Sequence, residues 1–150
     1  MFTIRPLTEE EIPAVQALEA LCFPDPWSRK SIRSTLREDR SCMLVAEENG
    51  VICGYLNSTY LFEELNLNRI AVSPDFRRRH VGASLLEALV DFCTANGLTR
   101  LMLEVREGNL PARRLYESFG FISLGERKNF YQNPPEAGVI MEKILEEPAS

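Results

Sequence analysis

Apolar and polar residues alternate over "FTIRPL" (residues 2–7), the pattern of a short strand whose two faces meet different surroundings. The spacing then changes. In "TEEEIPAVQALEALCF" Ile12, Val15, Leu18 and Leu21 recur at helical intervals, and Glu9, Glu10 and Glu11 stand near the positive end. After Pro24-Asp25-Pro26, Ser28 takes an N-cap position, with Trp27 before it and Ile32 where a hydrophobic staple closes. A second helix is predicted from Arg29 to about Arg37. "CMLVAEENGVICGYLNSTYL" reads as two strands joined by Asn49-Gly50, a pair suited to the left-handed dihedrals of a tight hairpin turn.

"LNLNRIAV" continues as a strand. In "VGASLLEALVDFCTANG" Val81, Leu85, Leu86, Leu89, Val90 and Cys93 fall on one helical face, and Asn96-Gly97 stops the helix. "TRLMLEVRE" alternates again, setting Leu101, Leu103 and Val105 against Met102, Glu104 and Arg106. Asn109-Leu110-Pro111 opens a further helix that ends at Gly120. "FISLGE" and "GVIMEKI" are the last predicted strands, separated by a loop "RKNFYQNPP". A strand-helix-strand unit amid hairpins predicts an α/β fold of the α+β kind: a mixed, mostly antiparallel sheet with a central β-α-β unit, flanked by helices.

At 150 residues the chain is expected to form one domain, 1–150. A net charge of -5 supplies no global positive field for nucleic acid, so none is expected as a direct partner. No apolar run approaches the roughly 18 residues of a membrane span and the N-terminus lacks a signal-peptide core, so no membrane partner and a cytoplasmic location are expected. Cys22, Cys42, Cys53 and Cys93 show no C-x-x-C spacing and His80 is the only histidine, so no metal site is expected.

Candidate chemistry begins at Arg77, Arg78, Arg79 and His80. Such a run is ordinarily a solvated surface cluster. Here it lies between a strand end and the first turn of a long helix, where backbone N–H groups lack partners and the helix dipole is positive. Val81, Gly82 and Ala83 open that helix, and the small residues let an anion approach the backbone. Glu104, in a strand otherwise of Leu, Met and Val, is either exposed at an edge or placed for work. Tyr116 is equally a core aromatic or a proton donor.

These residues carry a resemblance to the GNAT superfamily of acyl-CoA-dependent N-acyltransferases. Its Arg/Gln-x-x-Gly-x-Gly/Ala loop is matched by Arg77-x-x-His80-x-Gly82 after "IAVSPDF", with His80 in place of the first glycine. Its Asn-x-x-Ala-x-x-x-Tyr-Glu-x-x-Gly-Phe segment is matched by Asn109, Ala112, Tyr116, Glu117, Gly120 and Phe121. Through Phe23 with "PWS", "LEVRE" and "RKNFY" the resemblance narrows to the ribosomal-protein-alanine N-acetyltransferases, the RimI type. It implies acetyl-CoA as cosubstrate, held by the Arg77–Ala83 loop, by the backbone of Ile70, Ala71 and Val72, and by Asn109. Glu104 becomes the general base and Tyr116 the general acid.

Trp27 and Tyr131 would border the acceptor groove. Trp27 also reads as a simple staple, and Tyr131 as an exposed loop aromatic. The implied acceptor is the N-terminus of a ribosomal protein, and the enzyme is expected as a monomer or weak dimer. A small-molecule amine, a protein lysine, or a non-catalytic acyl-CoA-binding role are the alternatives that a fold and a cofactor loop leave open.

Overall fold

A parallel pair of strands that separates halfway along its length organises the protein. The computed structural model describes residues 1–145. The strands are β1 (Thr3–Pro6), β2 (Ser41–Glu48), β3 (Val51–Leu61), β4 (Glu64–Val72), β5 (Arg100–Arg106), β6 (Ile122–Tyr131) and β7 (Glu136–Ile144). The helices are α1 (Ile12–Cys22), α2 (Arg29–Leu36), α3 (Val81–Ala95) and α4 (Leu110–Ser118). One 7-stranded sheet runs β1-β2-β3-β4-β5-β7-β6, antiparallel except between β4 and β5. This is the expected mixed sheet with its central β-α-β unit. Among the described residues no helix is long and apolar enough to cross a membrane.

Alternation along the strands sorts side chains between two cores. Leu56, Leu65, Leu101 and Leu103 pack with Leu85, Leu86 and Leu89 of α3 and with Tyr116 of α4. Met43, Val45, Tyr55 and Ala71 turn to the other face, against Ile12, Val15 and Leu18 of α1 and Ile32 of α2. The caps behave as anticipated. The Ser28 hydroxyl accepts from the Ser31 N–H, Asn49 and Gly50 have φ of 52° and 80°, and Gly97 ends α3 with φ 69°.

Leu21 departs from expectation. It is exposed, and Glu19 is buried in its stead. Steps of three residues drift by about 60° each around a helix, so after Ile12, Val15 and Leu18 a further step has left the buried face.

The stretch 127–131, expected as loop, belongs to β6. As an edge strand exposed along nearly all its length, β6 carries no apolar alternation to betray it. Its pairing moves from Arg127↔Gly138 to Tyr131↔Glu136, so four steps on β6 span two on β7. The resulting bulge, with Asn129 at φ 56°, turns Arg127, Phe130 and Tyr131 towards one hollow.

A second bulge creates the cleft. Asn57 pairs with Arg69 but Ser58 pairs with Leu67, leaving Asn68 as an extra residue in β4. The β4–β5 ladder ends at the same level, at Leu67↔Leu103. A bulge sharpens local twist, so β4 swings away from β5 and frees the edge from Asn68 to Val72.

Candidate active site

Three hollows meet where the strands part. On the α3–α4 side a cleft of 620 Å³ is lined by Ile70, Val72, Arg77, Arg78, Gly82 and Leu115, among others. On the opposite side a groove of 510 Å³ lies between β4, β5 and the β6 bulge, with Asn66, Arg69, Arg127 and Phe130 on its walls. A 200 Å³ hollow joins them, sharing Ile70, Asn109, Ala112 and Tyr116 with the cleft, and Asn68, Arg69, Glu104 and Tyr131 with the groove. Molecules entering from opposite faces of the sheet could therefore meet between Glu104 and Tyr116.

The cleft's anion end follows from backbone conformation. Arg78 and His80 both adopt left-handed dihedrals, φ 65° and 63°. A non-glycine residue there carries a modest cost, smaller for histidine than for most. Left-handed residues so close together curl the chain into the kind of loop whose successive N–H groups can face one anion. The loop runs directly into the unpaired first N–H groups of α3. A Cβ on Gly82 would stand 3.3 Å from Leu115 Cδ2 and 3.7 Å from Val72 Cγ2, so glycine preserves the width of the cleft at its narrow point.

Arg77, Arg78, His80, Val81, Gly82, Ala83, Ile70, Val72 and Asn109 all line this cleft. Two expected members do not. Arg79 turns away, its Nη2 donating to Glu48 Oε1 at 2.7 Å and its guanidinium lying 4.9 Å from the Phe76 ring centre. The Ala71 side chain packs into the α1–α2 core, so only its backbone could serve a ligand. Asn109 caps α4, its Oδ1 accepting from the Ala112 N–H at 3.3 Å, and this fixes the residue on the wall of the cleft.

Glu104 projects from β5 just past the last β4–β5 pair. Its Oε1 lies 3.4 Å from Arg127 Nε, and its Oε2 is buried without a hydrogen-bond partner among the described residues. A carboxylate with one oxygen beside a cation and the other uncommitted has acceptor capacity in reserve.

Tyr116, only 5% exposed, packs on Phe121 with 5.7 Å between ring centres and the two rings tilted by 58°. Burial pushes its phenol well above the ordinary tyrosine range, so the group stays protonated until a strong base appears beside it. Tyr131 faces the groove and the junction. Burial, and then the Glu104 charge, raise its phenol as well.

Trp27 is not brought to the junction. Its ring packs against the α1–α2 core and borders a separate shallow depression on α2.

Arg69, Arg106, Arg127 and Phe130 also contribute to these walls and were not singled out from the sequence. Arg106 Nη1 and Nη2 donate to the carbonyls of Pro134 and Gln132 at 2.9 and 2.7 Å, and its guanidinium lies 4.6 Å from the Tyr131 ring centre. This fastens the β6–β7 reversal to β5. Arg69 interrupts "NLNRIAV" as Glu104 interrupts its own strand, and that signal was available in the sequence. Arg127 and Phe130 were hidden by the unrecognised bulge.

Comparison with known proteins adds an independent line. The profile of the acetyltransferase (GNAT) family matches residues 12–121. The ribosomal protein bS18-alanine N-acetyltransferase of Escherichia coli (strain K12) is 36% identical over 131 residues, covering 87% of this chain and 88% of that protein. A protein of the same name from Haemophilus ducreyi is 30% identical over 145 residues, 95% of this chain and 99% of the other. The crystal structure of the E. coli ribosomal-protein-S18-alanine N-acetyltransferase matches with a TM-score of 0.92 and 33% identity, covering 100% of this chain and 97% of that one. With a matched segment that takes in the loop of Arg77–Ala83, Glu104 and Tyr116, this chain belongs to the GNAT acetyltransferase family.

Proposed function

We propose that the protein transfers the acetyl group of acetyl-CoA directly to the α-amino group of an N-terminal alanine on a ribosomal protein. The observation that carries this reading is the continuous passage through the sheet, with Glu104 on its groove side and Tyr116 on its cleft side. The names of the E. coli and H. ducreyi relatives support the choice of acceptor.

The residues fit acetyl-CoA at three points: a left-handed loop with Arg77 and Arg78 that would hold its pyrophosphate, a free β4 edge from Ile70 to Val72 that would pair with its amide-bearing arm, and Asn109, which lines both the cleft and the junction. When bound, acetyl-CoA supplies an activated acyl carbon. The acceptor's terminal ammonium, with an unperturbed pKa of about 8, must lose a proton before its nitrogen can attack. Glu104, through a water, receives that proton. The new N–C bond forms as the C–S bond breaks, and Tyr116 gives its proton to the departing sulfur. Tyr131 lines the path of the acceptor.

The test is to incubate the protein with acetyl-CoA and a basic peptide that begins with alanine and also contains lysine, then locate the acetyl group by fragmentation mass spectrometry. Modification of residue one alone is expected. Modification of lysine alone would overturn the assignment of acceptor.

A further inference from the structure

We infer that Arg69 is a positioning residue for the acceptor, holding the segment between α1 and α2 in place as one wall of the junction. The inference deepens the reading above and rests on it for the choice of acceptor. Arg69 sits in β4 next to the Asn68 bulge, where the strand leaves β5, and it borders both the groove and the junction. Its side chain is only 13% exposed.

Every identified contact of this guanidinium goes to α1 or to the segment after it. Arg69 Nη2 donates to the Asp25 carbonyl at 2.5 Å and lies 3.5 Å from Asp25 Oδ1. The guanidinium carbon lies 4.1 Å from the Phe23 ring centre, a cation–π distance. Its Nε is 3.4 Å from Oε1 of Glu19, a fully buried carboxylate on α1. That contact is an ion pair without hydrogen-bond alignment, since Nε has no hydrogen-bond partner among the described residues. Glu19 in turn accepts from the Trp27 backbone N–H at 3.0 Å and from the Tyr55 hydroxyl.

One buried charge pair thus ties both ends of the stretch Phe23–Trp27 to the sheet. Phe23, Pro24 and Asp25 line the junction. A buried carboxylate persists only when a cation and hydrogen bonds compensate it, so the pair ties the position of this wall to the charge of Arg69. A mobile wall would lower the fraction of protein competent to hold the acceptor and leave the Arg77–Ala83 cleft untouched.

Removing Arg69 alone strands a buried Glu19 and risks a folding defect, so the test uses the double variant Arg69→Met/Glu19→Gln beside Arg69→Lys. Two readouts are taken. With the Ala-starting peptide, the acceptor KM of the double variant should rise by about tenfold while kcat and the acetyl-CoA KM stay within about threefold, and Arg69→Lys should recover part of the loss. Trp27 is the only tryptophan. Acrylamide quenching of its fluorescence in the acceptor-free protein should rise by about twofold as the wall loosens, with cooperative melting retained.

Unchanged quenching in a folded double variant overturns the inference. So does a fall in kcat with no change in acceptor KM. If the wild type ignores the alanine peptide, the proposed acceptor falls, and the quenching measurement alone still decides whether Arg69 holds the wall.

Discussion

Replacing Tyr116 by phenylalanine removes one hydroxyl from the wall between the two entrances and leaves the ring packed on Phe121. That hydroxyl has no hydrogen bond to protein among the described residues. Its loss strands no buried partner, and the folding free energy should change by less than about 0.5 kcal/mol. Catalysis should respond differently. A positioned general acid contributes about 10²- to 10⁴-fold, so kcat should fall by that factor, equivalent to about 2.7–5.4 kcal/mol of barrier.

Because burial raises the phenol, its folded-state contribution to stability is complete below the unfolded value of about 10 and is lost as pH rises past it. In the neutral range Tyr116 should therefore contribute no limb to the pH–rate profile. The assay is release of free coenzyme A at saturating acceptor, with melting curves and acetyl-CoA affinity measured on the same preparation. A Tyr116→Phe protein with normal melting and kcat within about twofold of wild type would refute the acid role.

Other outcomes follow from the loop and the hairpins. His80→Gly exchanges the cost of a left-handed histidine, about 1 kcal/mol, for a similar gain in unfolded-chain entropy, so the melting temperature should move by less than about 3 °C. Acetyl-CoA affinity should stay within about threefold, and a tenfold loss by calorimetry would mean that the imidazole itself is needed. Arg78→Ala should weaken acetyl-CoA binding about tenfold, whereas Arg79→Ala, whose guanidinium is held by Glu48, should change it less than threefold; equal effects would contradict the observed orientations. Hydrogen bonds from Arg5 hold the Glu11 carboxyl at about 2, below its ordinary 4.5, so its stabilisation is present above pH 4.5 and is lost as pH falls towards 2. Glu11→Gln should flatten that acid limb in melting scans, and an unaltered limb would assign the acid sensitivity to other groups.

Much of the architecture was legible because it depends on local periodicity. Asn49-Gly50 announces its hairpin, and the faces of α3 and β5 announce what they bury. The Arg77–Gly82 spacing and the acidic Glu104 in an apolar strand drew attention to the two sides of the passage. What escaped depends on contacts between distant segments. The extra residue at Asn68 exists only relative to β3, so no one-dimensional pattern records it, yet it is what opens β4 from β5. β6 is polar because nothing covers it, and its bulge is defined by its register with β7. Arg79 and Arg78 are adjacent in a uniform basic run, and only the Glu48 carboxylate on the neighbouring hairpin separates a structural arginine from a cleft arginine. Glu19 occupies a helix face where apolar residues are expected, and its partner Arg69 lies 50 positions further along the chain.

The central claim is best tested by initial rates of coenzyme A release from acetyl-CoA with three matched acceptors: a basic peptide starting with alanine, the same lysine-containing peptide with its N-terminus blocked, and a polyamine. Turnover confined to the free alanine terminus is the predicted result. Activity only on the blocked peptide or the polyamine would contradict the acceptor while leaving the GNAT fold intact.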